Sequence, residues 1–163
     1  TSVGLPFGAM METLQTFRGL PHRTRFVAEM NAVRWYNDSK GTNPGASIAA
    51  LEGFDRGDNS RTVLIAGGDC KGADFTDLAD AAARYARAVV LMGRDAARIA
   101  GTLEDRVPLV RASDMADAVR KAADAAQPGD RVLLSPACAS FDMFRGFEHR
   151  GDVFEALVQE LTG

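Results

Sequence analysis

The chain has 163 residues and a mass of 17.4 kDa, enough for one domain that buries roughly 70% of its unfolded surface without a disulfide or a metal. Apolar residues at 46% and charged residues at 25% exclude a disordered chain. Nineteen basic against 22 acidic residues give a net charge of −3, so no basic field favours nucleic acid, and no apolar run is long enough to span a membrane.

The N-terminus, Thr1-Ser2-Val3-Gly4, lacks a basic stretch followed by an apolar one, so no secretion signal is expected. Phe7, Met10, Met11, Leu14 and Phe17 recur at helical spacing, and Gly19-Leu20-Pro21 ends that helix. Thr24 to Met30 and Val33 to Tyr36 are rich in strand formers, and Asn31-Ala32 between them predicts a hairpin. Asn43 as cap and Pro44 at the first helical position start a helix that runs to about Phe54. Thr62 to Ala66 is an uninterrupted apolar run, as in a buried parallel strand. A helix from Asp74 to Tyr85 aligns Leu78, Ala82 and Tyr85. A strand from Ala88 to Met92, a helix from Asp95 to Ala100 and a short strand from Val107 to Val110 follow. Ser113 or Asp114 caps a helix to Ala126, and Gln127-Pro128-Gly129-Asp130 turns the chain into a last strand, Val132 to Leu134. The final helix carries Phe154, Leu157, Val158 and Leu161. Repeated strand–helix units predict an α/β, Rossmann-like fold: a mostly parallel sheet, helices on both faces, and an antiparallel hairpin strand at its start.

In such sheets ligands bind beyond the carboxyl ends of the strands. Three loops stand there: Asn37 to Asn43, Gly67 to Gly72 and Ser135 to Asp142. Their glycines let the backbone approach a ligand, and successive backbone N–H groups can cradle an anion. Only three of the basic residues are lysines, and two of them, Lys40 and Lys71, sit beside a glycine at a strand end. A lysine there suits a carboxylate or phosphate oxygen, but a solvated loop lysine has the same spacing. Lys121 reads as a surface residue. Gly67-Gly68-Asp69-Cys70-Lys71-Gly72 is not a P-loop, and no dinucleotide fingerprint or Ser-His-Asp arrangement is present. Cys70 and Cys138 are too few for a disulfide framework and read as small, partly buried residues. His22 and His149 read as local hydrogen-bond partners.

The three loops together resemble the C-terminal domain of the Mur ligase family. The resemblance rests on Leu20-Pro21-His22-Arg23, Trp35-Tyr36-Asn37-Asp38-Ser39-Lys40-Gly41-Thr42-Asn43, Gly67-Gly68-Asp69-Cys70-Lys71-Gly72-Ala73-Asp74-Phe75, Leu134 to Asp142, and Phe147-Glu148-His149-Arg150-Gly151. The Asn-Asp-Ser-Lys-x-Thr-Asn segment is shared with the folylpolyglutamate synthetases. Ser-Pro-Ala-Cys-Ala-Ser with Gly-Gly-Asp-x-Lys is similar to the D-glutamate-adding branch. Cys70 departs from the pattern, since a glycine is as familiar there.

The resemblance implies a three-domain, cytoplasmic, ATP-dependent ligase of peptidoglycan synthesis. It adds D-glutamate to UDP-N-acetylmuramoyl-L-alanine through an acyl phosphate. ATP and Mg2+ would be bound mainly by other domains and held tightly by none of this chain. On this reading residues 1–18 are the tail or linker of a central domain, residues 19–163 are the C-terminal domain, and the chain is inactive alone. Thr42 and Lys71 would take the α-carboxylate of D-glutamate. Ser140 would take its side-chain carboxylate, with backbone N–H groups near Phe147, while Phe141 and Phe147 wall the pocket. Arg23, Asp38 and Lys40 would reach the nucleotide, and Asp69 would orient Lys71. Taken without the resemblance, Thr42 is also a helix-start residue, Ser140 a turn former, Asp38 a loop brace and Arg23 a surface charge. Two other readings stay open: a stand-alone small-molecule binding module, and a ligase of the same superfamily with another amino acid.

Overall fold

The elements expected from Thr24 onward form in the computed structural model, which describes residues 22–163; the helix expected between Phe7 and Phe17 and the proposed 1–18 linker lie outside the described residues. In chain order they are β1 (Arg25–Met30), β2 (Val33–Asn37), α1 (Pro44–Gly53), β3 (Thr62–Gly67), α2 (Thr76–Tyr85), β4 (Ala86–Met92), α3 (Ala96–Leu103), β5 (Leu109–Arg111), α4 (Met115–Ala125), β6 (Arg131–Leu134) and α5 (Phe147–Thr162).

Local chemistry sets most of these boundaries. Asn31 and Ala32 take φ of 54° and 64°, as a tight hairpin turn requires at both central positions. The Asn43 side chain caps α1 by accepting the Ala46 N–H at 2.9 Å. Asp114 caps α4 through the Asp117 N–H at 2.8 Å. The helix expected from Asp74 starts two residues later, because the Asp74 carboxylate accepts the Thr76 N–H and hydroxyl from outside it.

Two further differences have clear causes. β4 begins at Ala86, directly after α2, rather than at Ala88. Arg87 therefore lies within a strand, with its guanidinium on the buried Asp130 carboxylate. α3 continues past Ala100 to Leu103, whose side chain is fully buried.

The six strands lie in the order β1-β2-β6-β3-β4-β5. β1 pairs antiparallel with β2, and every other neighbouring pair is parallel. Period-two alternation divides the core. Leu64, Ala66, Val89, Leu91 and Leu133 face Leu51, Phe75, Leu78, Ala82, Ile99 and Leu103 of α1 to α3 and their loops. Val63, Ile65, Val90, Met92, Val132 and Leu134 face Met115, Val119, Ala122, Phe154 and Val158 of α4 and α5, with Trp35. All six residues of β3 are buried, which is why its sequence is a continuous apolar run. The fold is the expected one: α/β, Rossmann-like, with helices on both faces of a mostly parallel sheet.

Candidate functional site

Strand order brings the three loops together. β2, β6 and β3 are consecutive neighbours and parallel, so the loops after them leave the same edge side by side. The loop after β6 is the middle one and is bonded to both others. On one side Ala137 N–H donates to Gly41 O at 2.8 Å. On the other, Asp69 and Ala139 exchange both backbone bonds, at 3.0 and 2.9 Å. The turn after β4 joins the same rim. Asp142 accepts the Arg94 N–H, Asp95 accepts the Cys70 N–H, and Asp95 N–H reaches Gly68 O.

Two glycines are needed for this closeness. A Cβ on Gly41 would sit 2.6 Å from Ser135 Oγ and 2.9 Å from Asp38 Oδ2. Gly68 has φ of 138°, and a Cβ there would collide with the Ala139 carbonyl.

Arg23, Asp38 and Lys40 all line one cavity of about 540 Å³ at the end of β2, floored by Ala46, Ala49, Ala50 and Phe54. Arg23 and Lys40 are exposed, whereas Asp38 is buried. The Asp38 carboxylate already accepts the Thr24 N–H at 3.0 Å, the Thr24 hydroxyl at 3.3 Å and the Ser135 hydroxyl at 2.8 Å. Burial pushes the Asp38 carboxyl above the ordinary carboxylate range, and these donors and the Arg23 charge oppose it only in part. Lys40 holds its place through its backbone N–H on His22 O at 2.9 Å, and its ammonium lies 5.6 Å from the centre of the Phe147 ring.

The second set occupies the neighbouring part of the rim, outside the walls of that cavity. Thr42 is exposed just ahead of α1, and its N–H bonds Lys40 O. Lys71 is exposed and takes a left-handed φ of 51°, an unusual conformation for a residue other than glycine. Asp69 accepts the backbone N–H of Lys71 at 3.2 Å and faces the Arg94 guanidinium at 3.7 Å, so it shapes the Lys71 backbone rather than its ammonium. Ser140 is buried one residue beyond the Asp69–Ala139 bridge. Phe141 is 70% exposed, a large apolar side chain standing at this edge. Phe147 opens α5, edge-on to His22 and on the Lys40 side of the rim.

Three residues given no role from the sequence, Arg150, Asn37 and Ser47, hold the rim. Arg150, from the first turns of α5, is 1% exposed. Its guanidinium donates to Ser39 Oγ at 2.9 Å, Ser39 O at 2.7 Å and Cys138 O at 3.0 Å, and so ties the outer loop to the middle one. Burial lowers its pKa to about 10, which leaves it charged at neutral pH. Asn37 bonds the Ser39 N–H, Glu155 and the His22 ring. Ser47 donates to Ser135 O at 2.8 Å. Arg150 lies in the quoted segment Phe147 to Gly151; its burial is the signal that identifies it, and that signal is not in the letters. Among the described residues no group of three or more His, Cys, Asp or Glu side chains is placed to hold a metal ion.

Comparison with known proteins fits this geometry. The model of the Mur ligase glutamate ligase domain matches residues 22–138. The UDP-N-acetylmuramoylalanine--D-glutamate ligase of Pseudomonas fluorescens (strain Pf0-1) is 54% identical over 161 residues, covering 99% of this chain and 36% of that protein. The protein of the same name from Bordetella parapertussis is 56% identical over 162 residues, covering 99% of this chain and 31% of that protein. The chain thus spans roughly a third of the length of these curated relatives. Among solved structures, the bifunctional folylpolyglutamate synthase/dihydrofolate synthase of Yersinia pestis, complexed with AMPPNP and a Mn ion, superposes with a TM-score of 0.63 at 19% identity, covering 96% of this chain and 36% of that one. The MurF ligase of Thermotoga maritima, in complex with ADP, gives a TM-score of 0.58 at 17% identity, covering 94% of this chain and 37% of that one. At those identities the structures speak to the fold.

Proposed function

The chain belongs to the Mur ligase family as its glutamate ligase domain, and on that premise we propose that it is the D-glutamate-presenting, C-terminal part of a longer ATP-dependent ligase of peptidoglycan synthesis. Residues 1–18 would connect it to a central domain, and residues 19–163 would form the presenting domain. The acceptor is UDP-N-acetylmuramoyl-L-alanine, bound with ATP mainly by the rest of the enzyme in the cytoplasm. Among the described residues no helix is long and apolar enough to cross a membrane.

The observation that carries the proposal is the rim itself: three loops from adjacent parallel strands, bonded in series, with Lys71 and Ser140 on two of them and Thr42 on the third. In the proposed reaction, the Lys71 ammonium and Thr42 hydroxyl take the α-carboxylate of D-glutamate. The Ser140 hydroxyl and backbone N–H groups near Phe147 take the side-chain carboxylate, and Phe141 and Phe147 wall the site. Both acidic groups are then fixed, and the amine is left to face the activated carboxylate of the acceptor. Holding the two reactants in line supplies on the order of 7–11 kcal/mol in favourable cases, which a domain carrying one reactant alone cannot deliver.

The apolar-floored cavity beside the rim suits a nucleotide: Arg23 and Lys40 supply cationic donors and Asp38 an acceptor at its wall. Arg23 and Lys40 would face the phosphates and Asp38 the ribose. ATP supplies the phosphoryl group that activates the acceptor carboxylate, and Mg2+ would be held mainly by the remainder of the enzyme.

Lys71→Ala in the full-length ligase tests the site. Loss of one charge-assisted contact is expected to raise the KM for D-glutamate roughly 10- to 100-fold. The KM for ATP should stay near that of the parent. An unchanged dependence on D-glutamate would remove Lys71 from the site. Competition of D-glutamate against L-glutamate and meso-diaminopimelate checks the amino acid.

A further inference from the structure

Cys70 and Cys138 stand 68 residues apart in the chain, yet the sheet edge sets them against each other. Asp69 and Ala139 form a doubly bonded antiparallel pair. One step onward on one strand and one step back on the other makes Cys70 and Cys138 directly opposite, in the position without backbone bonds. Opposite residues at such positions have Cα atoms about 4.5 Å apart, within the range that a disulfide spans. The two thiols are in contact, with Sγ atoms 2.8 Å apart, and both are buried. Each lies beside a residue of the rim: Cys70 precedes Lys71, and Cys138 is two residues before Ser140.

We propose that Cys70 and Cys138 are a redox modification site, forming a reversible disulfide that staples the loop after β3 to the loop after β6. The co-reactant is a peroxide. The Cys70 thiolate attacks one peroxide oxygen, and the O–O bond breaks. This leaves Cys70 as a sulfenic acid and expels hydroxide, which takes up the proton that the Cys70 thiol had lost and becomes the first water. The Cys138 sulfur then attacks the Cys70 sulfur and the S–O bond breaks, releasing the second water. Two thiols and one hydrogen peroxide thus give one disulfide and two waters: the sulfurs lose two electrons and the peroxide gains them. A dithiol reduces the disulfide back to two thiols by exchange and is itself oxidised to a disulfide. Cys70 reacts first because it is the less enclosed of the two, at 4% exposure against 1%, beside an exposed residue. Burial raises the pKa of both thiols, so the reaction is slow at neutral pH and accelerates as pH rises. The site stands on geometry alone and does not depend on the D-glutamate reading.

The test uses the 163-residue chain, exposed to hydrogen peroxide at pH 7 and pH 9 and quenched with an alkylating agent. The expected product is a monomer 2 Da lighter than the reduced chain, in which digestion finds the Cys70 and Cys138 peptides linked. It should form faster at pH 9 and revert with dithiothreitol. Closing a loop of this length should raise the melting temperature by roughly 10 °C. Cys138→Ser should instead stop at a sulfenic acid that dimedone traps on Cys70. Two alkylated thiols after prolonged exposure, oxygen adducts without a cross-link, or disulfides only between molecules would each overturn the proposal.

Discussion

Asp38 serves two demands with one carboxylate. It braces the loop after β2 through Thr24 and Ser135, and it forms part of the wall of the adjacent cavity. Burial raises its folded pKa above the unfolded value, so the native chain holds this proton more tightly than the unfolded chain. Its contribution to stability is therefore present below the ordinary carboxylate range and is lost as pH rises through the folded value. Asp38→Asn removes that dependence. Urea unfolding across roughly pH 4 to 7 should show the variant gaining on the parent as pH rises. A constant difference over that range would contradict the assignment. The placement of Asp38, Lys40 and Lys71 at strand ends was legible in the sequence, because each stands in a loop that directly follows an expected strand. The Ser135 hydroxyl on Asp38 was not, since 97 residues separate them and only strand order makes them neighbours.

The first turns of α5 do more than cover the sheet, because Arg150 reaches under two loops at once. Arg150→Ala would leave buried acceptors on Ser39 and Cys138 without donors and open a cavity beneath the rim. The expected loss is about 3–4 kcal/mol, or roughly 10 °C in melting temperature. A loss near zero by thermal unfolding would show that the loops hold without the tie. At this scale the sequence was most readable where a local signal acts alone, as at the Asn43 and Asp114 caps, the hairpin turn and the apolar run of β3. It failed where tertiary contacts override the local pattern. Arg87 falls outside the strand expected from Ala88 yet lies inside β4 with its guanidinium on Asp130, and the helix expected to stop at Ala100 runs on to the buried Leu103.

Across the whole molecule, the decisive fact is that β6, the last strand in the chain, lies between β2 and β3. Alternating strands and helices predicted a parallel sheet with loops on one edge. They did not give this order, because a late strand can enter a sheet at several places. The order makes the loop from Ser135 to Asp142 a central bridge, and it places Lys40, Lys71 and Ser140 on three neighbouring loops of one rim. The same order explains the contact of Cys70 with Cys138, which their separation in sequence conceals. Two regions of the rim follow. The cavity with Arg23, Asp38 and Lys40 lies on the α1 side, and the Lys71–Ser140 region lies beside it over β3 and β6. The proposed ligase needs both to face the remainder of the enzyme, one for nucleotide and one for amino acid.

The most direct measurement is an amide NMR titration of this chain with D-glutamate at millimolar concentration, using L-glutamate as control. Shifts clustered at Thr42, Lys71, Ser140 and Phe147, larger with the D enantiomer, are the predicted result. Shifts confined to loops away from Lys71 and Ser140, or equal for both enantiomers, would contradict it.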